Sequence, residues 1–252
     1  IPLYLLDTDV EANNSIDRTL TARLYSSDQE VRISQEILLG MGGVRALRLL
    51  GYQPDVWHMN EGHSAFLTLQ RLREYFGEGI EFKEAIALVK KDNVFTTHTP
   101  VPAGNDEFPL WLIDKYFANY WDELKLNRDE FIDLARYQAD WGQTFSMPVL
   151  ALRFSGKANA VSELHGQVSR AMWKGLWPGL KTDEVPISHI TNGVHPGSWM
   201  ARRLRLLFDH YLGSDWMEHI DDGEMWSMID NIPDGEIWAV RRHMKNKPVN
   251  YA

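Results

Sequence analysis

The chain alternates short apolar runs, polar clusters and segments with helical spacing. Pro2 to Leu6 is an apolar run of the buried-strand kind, followed by the polar Asp7-Thr8-Asp9. Ile37, Leu38, Met41, Val44 and Leu47 fall at helical spacing, with Gly51 as a stop and Pro54 just beyond. Asp55 to Met59 reads as a second strand and Asn93 to Thr97 as a third, with helices over Ala65–Tyr75 and Phe82–Lys90 between them. Further along, Phe108–Tyr120 and Asp129–Tyr137 read as helices. Val149 to Phe154 fits strand or helix, and strand is the preferred reading. Val161–Trp173 is helical until Pro178-Gly179 breaks the pattern. Pro186–Ile190 is a short strand, Trp199–Leu212 a helix that Gly213 ends, and Glu236–Lys247 a last helix. Strands alternating with helices predict an α/β fold with a parallel sheet.

Composition narrows the function classes. A 44% hydrophobic content over 252 residues is enough for a core and excludes wholesale disorder. The net charge of −9 argues against nucleic acid or an anionic membrane as partner. With no cysteine there are no disulfides, no thiol catalysis and no cysteine-bound zinc. No apolar run approaches the roughly 20 residues of a membrane helix, so a soluble cytoplasmic protein is expected. Ile1 opens directly on an apolar run and Tyr251-Ala252 closes without a stop signal, so a fragment of a longer chain is expected.

In open α/β sheets, ligands bind beyond the carboxyl ends of the strands. Three predicted strands lead there into Asn60-Glu61-Gly62-His63, His98-Thr99-Pro100 and Thr191-Asn192-Gly193-Val194-His195. Amides, carboxylates and imidazoles both donate to and accept from hydroxyl groups, so the set suits a hydroxyl-rich ligand. Capping alone also places polar residues at strand ends. Zinc on His58, Glu61 and His63 is disfavoured, because the spacing is not that of a helical His-Glu-x-x-His site. Gly40-Met41-Gly42-Gly43 follows a helix rather than a strand, so small residues packing a helix against the sheet are preferred to a phosphate loop. Arg202, Arg203 and Arg205 read as a solvated helix face. The ten tryptophans divide between core and sugar-stacking roles that sequence does not sort.

Several segments resemble the α-glucan phosphorylase family of glycogen and maltodextrin phosphorylases, in its shorter bacterial form. They are Tyr4-Leu5-Leu6-Asp7-Thr8-Asp9, Gln35 to Val44, Trp57 to Phe66, Phe95 to Gly104, Leu164-His165-Gly166 and Ile190 to His195. Asn105 departs from the pattern, since many members have histidine after Ala-Gly. The resemblance implies a two-domain GT-B-type glycosyltransferase architecture with Rossmann-like domains. Residues 1–190 would belong to the amino-terminal glucan-binding domain, and 191–252 to the start of the cofactor domain. It implies reversible phosphorolysis of α-1,4-glucan (glycogen, maltodextrin) by orthophosphate to α-glucose 1-phosphate with retention, and pyridoxal phosphate as cofactor. It leaves a homo-oligomer open.

Carried over by position, His98 matches the histidine lining the glucosyl subsite and stands as the catalytic candidate. Asn192 matches the asparagine on the same sugar unit, and Glu61 and His63 match the acidic and histidine positions beside it. Asn60 and Thr99 are weaker matches. The family's cofactor lysine has no counterpart, because the Met244-Lys245 pair follows Arg242-His243 and not the expected Ser-Gly-Thr-Ser pattern. Two other readings stay open: a nucleotide-sugar-dependent glycosyltransferase of the same architecture, and a non-catalytic glucan-binding module.

Overall fold

The computed structural model describes residues 2–24, 26–139 and 142–249, without the side chains of 103 and 247–249. The chain divides into two compact units, Ile1–Asn192 and Gly193–Ala252.

The first unit is built on a parallel sheet of four strands: β1 (Trp57–Asn60), β2 (Asn93–Thr97), β6 (Lys157–Ala160) and β7 (Ser188–His189), adjacent in that order. Helices α3 (Leu67–Gly77) and α4 (Phe82–Asp92) connect β1 to β2, and α9 (Glu163–Met172) connects β6 to β7. Ahead of the sheet lie α1 (Gln29–Ile37) and α2 (Gly43–Leu49), joined by a π-helical stretch at Leu38–Gly42. Asp28 starts α1 by accepting from the backbone N–H groups of Glu30 and Val31.

Between β2 and β6 the chain inserts an antiparallel sheet, with β3 (Glu107–Pro109) and β4 (Arg136–Ala139) on either side of β5 (Gly142–Ser146). The insert also carries α5 (Leu110–Phe117), α6 (Tyr120–Glu123), α7 (Arg128–Asp133) and α8 (Met147–Arg153). Its core is aromatic. Phe66, at the start of α3, lies 5.0 Å from Phe117, 6.1 Å from Phe145 and 6.4 Å from Phe108 between ring centres. All four rings are fully buried, so the loop between β1 and α3 is anchored at its far end.

The second unit holds α10 (Pro196–Trp199), α11 (Arg202–Leu212), α12 (Gly223–Ser227) and α13 (Asp234–Val249). Its small core gathers Phe208, Trp216 and Trp226 edge to face, with Leu212 and Met225. Gly213 ends α11 at φ 97°, a conformation that favours glycine.

The α/β class with a parallel sheet agrees with the sequence pattern, and several elements differ. Pro2–Leu6 is not a strand: it is irregular and exposed, because an apolar run carries no information about a pairing partner. Val149–Phe154 is not a strand either. Val149–Arg153 lies in α8, where Pro148 occupies the first turn, and burial of every residue from Met147 to Leu152 erases the periodicity that marks a helix. The helix read over Asp129–Tyr137 stops at Asp133, and Arg136–Ala139 pairs with β5. The helix read over Phe108–Tyr120 begins only at Leu110, and the one over Trp199–Leu212 breaks at Met200-Ala201. Strand β6 was not evident in the sequence, since Lys157 and Asn159 interrupt a very short run.

Gly40 does pack closely, but against the start of α3 and not the sheet. A Cβ there would stand 2.7 Å from Leu67 N and 2.9 Å from Phe66 Cβ. Gly40→Ala is therefore expected to destabilise by about 1–3 kcal/mol, because rigid backbone must move. Gly43 has nothing within 4 Å of the same position. Gly43→Ala should be neutral or stabilise by up to about 1 kcal/mol through helix propensity. Urea denaturation of both variants checks the pair, and equal effects would contradict the packing.

Candidate functional site

The parallel strands deliver polar groups to one edge. Asn60 ends β1, His98 follows β2, and Asn192 follows β7. Backbone bonds hold the last of these in place: Ile190 N–H donates to Ala160 O at 2.9 Å and Asn192 N–H to Val161 O at 3.0 Å. Asn60, Glu61, His98, Thr99 and Asn192 thus occupy the carboxyl edge of the sheet.

Glu61 organises this edge. Its N–H donates to Thr96 O at 2.9 Å, prolonging the β1–β2 ladder by one residue. Its backbone then turns to φ 68°, ψ 175°, a region otherwise almost reserved for glycine. The buried carboxylate accepts from the backbone N–H of His98 with one oxygen and from Thr99 Oγ1, at 3.1 Å, with the other. His98 Nε2 pairs with Asn60 Oδ1, an acceptor, so Nε2 is the donor of this bond. Gly62 is required next, because a Cβ would stand 3.1 Å from Met147 Cβ and 3.2 Å from Pro148 N at the start of α8.

A second polar layer lies beneath. Thr96 Oγ1 donates to Asn159 Oδ1 at 2.9 Å and accepts from His58 Nε2 at 2.7 Å. His58 is thereby tied across β1 and β2 and does not gather with Glu61 and His63. Asn105 is half-buried with its amide against Met172 Sδ at 3.7 Å, so it braces the loop on α9.

His63 is drawn into a different group. Its Nδ1 lies 2.9 Å from Asp106 Oδ2 and 2.7 Å from Arg32 Nη2. Glu36 Oε1 lies 3.1 Å from Arg32 Nε. Sequence reasoning missed Arg32, Glu36 and Asp106, although an Arg and a Glu four residues apart on a helix were a usable signal. The ligand atoms of Glu36, His63 and Asp106 lie within 4.8 Å of one another, a spacing suited to a metal. The Arg32 guanidinium occupies the same space and already supplies the positive charge.

A Schiff-base cofactor does not fit this edge. Residues 60–63, 98–100, 161–162 and 190–192 include no lysine, and Lys245 is exposed on α13. Two surface concavities, one beside Arg136 and Arg153 and one in the second unit beside Arg202 and His243, include none of the edge residues. Asn60, His98 and Asn192 are all exposed, and the edge is an open shelf.

No family model matches the chain. Among curated proteins, it is 44% identical to a maltodextrin phosphorylase of Thermococcus litoralis over 98% of its own length. It is 42% identical over 90% of its length to a glycogen phosphorylase of Mycobacterium tuberculosis, and 36% identical over 90% to one of Aquifex aeolicus. The chain belongs to the glycogen and maltodextrin phosphorylase family. It spans 28–32% of the length of these relatives. The segments aligned with these phosphorylases include every edge residue described above.

The buried acid Glu36 has a measurable signature. Burial, followed by the charge of Asp106, pushes the Glu36 carboxyl from its ordinary 4.5 up to about 10, against the opposing charge of Arg32. Burial alone would raise Asp106 too. Hydrogen bonds from His63 and Arg32, with the guanidinium charge, outweigh it and hold that carboxyl well below its usual range. Because the folded state keeps Glu36 neutral, its favourable contribution is complete below about pH 4.5 and is lost as pH rises towards 10. Glu36→Gln, a neutral isostere, should match the wild type in acid and exceed it by roughly 1–3 kcal/mol in mild alkali. Denaturation midpoints across pH check this, and a pH-independent difference would contradict a neutral Glu36.

Proposed function

We propose that this chain forms the glucan-binding wall of an α-glucan phosphorylase. The reaction is α-1,4-glucan plus orthophosphate in exchange for a shortened glucan and α-glucose 1-phosphate, with retention. The observation that carries the reading is the Glu61-locked junction of β1 and β2, which fixes Asn60 and His98 on the shelf shared with Asn192, in a chain of this family. Residues 1–190 act as part of the amino-terminal glucan-binding domain and 191–252 as the start of the cofactor domain, in a GT-B-type pair. The division at Asn192 supports that boundary.

On this reading, Asn60, His98 and Asn192 bind hydroxyls of the glucosyl unit at the bond to be broken. His98 has its ring held by Asn60 and its backbone N–H held by Glu61. Its carbonyl dipole is thereby oriented, and a carbonyl near the anomeric carbon stabilises positive charge as the bond loosens. Glu61 and Thr99 set the geometry from behind the shelf. Pyridoxal phosphate, when bound, supplies acid–base chemistry through its phosphate, and its lysine lies outside these residues. The protein works in the cytoplasm on glycogen or maltodextrin. No helix among the described residues is long and apolar enough to cross a membrane.

The test is phosphate-dependent release of glucose 1-phosphate from glycogen by the full-length protein. Glucan breakdown that ignored phosphate would favour a nucleotide-sugar enzyme, and glucan binding with no turnover a binding module. Asn192→Ala should lower kcat on the order of 10²-fold, the cost of about 2–4 kcal/mol of transition-state hydrogen bonding, with an unchanged melting profile. An unaltered kcat with a modest rise in KM would assign Asn192 to ground-state binding instead. The 252 residues alone should yield no glucose 1-phosphate even with added pyridoxal phosphate. Steady turnover by them would show that the cofactor site has been misplaced.

A further inference from the structure

The chain contains one Asn-Gly pair, Asn192-Gly193, and its peptide bond joins the two compact units. The main chain is held up to this pair and released after it. Asn192 N–H donates to Val161 O at 3.0 Å, whereas Gly193, Val194 and His195 donate no backbone hydrogen bond among the described residues. The Asn192 side-chain amide has no partner among them either. Both residues of the pair are exposed and lie outside helix and strand. A Cβ at Gly193 would meet nothing within 4 Å.

These conditions expose Asn192 to attack by its own chain. The backbone nitrogen of the residue after an asparagine can reach the asparagine Cγ and close a cyclic imide. A side chain on that next residue hinders the approach, and glycine has none. Hydrogen bonds to the asparagine amide oppose it too, because they stop Cγ from turning to the nitrogen. Other asparagines of the chain fail on both counts. Asn60 is held by His98 and followed by Glu61, and Asn159 is held by Thr96 and followed by Ala160. Asn93 accepts from Arg71 at 2.6 Å, donates to Phe154 O at 2.9 Å and is followed by Val94.

We propose that Asn192 is a site of spontaneous covalent modification, deamidated through a cyclic imide formed with Gly193. Gly193 N gives up its proton to solvent base and bonds to Asn192 Cγ. The Cγ–Nδ2 bond breaks, and the nitrogen takes up a proton and leaves as ammonia. Water then adds to one of the two ring carbonyls. One opening leaves aspartate at this position. The other leaves isoaspartate, in which the main chain runs through the side-chain carbonyl and is one atom longer. The net change is amide plus water to carboxylate plus ammonium. Either product replaces a neutral donor on the shelf with an anion that only accepts. The consequence for activity rests on the glucan reading above: phosphorolysis decays as Asn192 converts, and bound glucan, by occupying the amide, slows the conversion.

The test ages the full-length protein in mild alkali, which favours loss of the Gly193 N proton, and in mild acid, with and without maltodextrin. Trypsin releases residues 182–202 as one peptide, in which Asn192 is the only side-chain amide. Exchange of NH₂ for OH in the mass of that peptide therefore reports this residue alone. In the wild type the peptide should gain that mass with time, faster in alkali, and an isoaspartyl methyltransferase should label it. Gly193→Ala should fold normally, since its Cβ has open space and the backbone there is outside the left-handed region, and it should convert far more slowly. Release of glucose 1-phosphate by the wild type should fall in step with the converted fraction, and Gly193→Ala should keep its own starting activity. Asn192→Asp should begin at the low activity the aged wild type reaches. A wild-type peptide that keeps its mass in alkali, or a Gly193→Ala protein that converts as fast, would overturn the proposal. Should Gly193→Ala fail to fold, the pH dependence and the methyltransferase label decide alone. Conversion that maltodextrin does not slow and that leaves activity intact would overturn the glucan role of Asn192 and leave the modification standing.

Discussion

The Glu61 carboxylate joins the ends of two neighbouring parallel strands, and the shelf depends on that junction. Its backbone sits at φ 68°, ψ 175°, which costs a non-glycine residue about 1–3 kcal/mol. Such a conformation persists only where its surroundings over-determine it. Here the ladder bond to Thr96 fixes the residue from one side, and the tight approach of Gly62 to α8 fixes it from the other. Hydrogen bonds to a buried charged acceptor contribute about 1.5–3 kcal/mol each, so the two received by the carboxylate are enough to offset the strain. A Gly at this position would relieve the backbone and lose the carboxylate. The strained residue is therefore explained by the polar junction it makes.

The polar residues of the sheet edge were legible in the sequence because they follow strands. Asn60, Glu61, His98 and Asn192 could be located from apolar runs ending in polar clusters, and the parallel topology brings such ends together. The Arg32–Glu36–Asp106 support was not legible for the same physical reason. It joins a helix face to a loop that begins β3 across 74 residues of sequence, and no local pattern encodes a contact of that range. Two of the errors in the elements share a cause as well. Pro2–Leu6 and Val149–Leu152 are unbroken apolar runs, and such a run does not state whether it will find a strand partner, form a buried helix or remain uncovered.

His63 lies between two chemically different regions. Asn60, His98 and Asn192 are exposed and rely on neutral donors and acceptors, whereas Glu36 and Arg71 are buried charged-type side chains that need local compensation. Arg71 achieves this through the Asp92 carboxylate, 3.3 Å from Nη2, together with Asn93 Oδ1, at 2.6 Å, and the carbonyl of Val89. Glu36 achieves it by retaining its proton. A neutral buried acid calls for no further cation, which leaves the Arg32 charge to Asp106. The result is stiffness where water is absent and polarity where it is present.

On the glucan reading proposed above, that division of labour suits a site that must favour a transition state over a bound sugar. Exposed amides and imidazoles on mobile supports would adapt equally to ground state and transition state, and uniform binding does not accelerate the chemical step. Held from behind, they cannot relax towards the ground state, so any bond better aligned with the distorted sugar is worth more in the transition state. Behind the shelf, each holding group is itself satisfied by a neighbour: Thr96 by Asn159 and His58, Glu61 by His98 and Thr99. An unpaired member would gain by rotating towards the ligand or towards water, and the paired ones have no such alternative. On the proposed reading, the pairing of Thr96 and Glu61 is thus what would hold Asn60 and His98 firmly enough to discriminate.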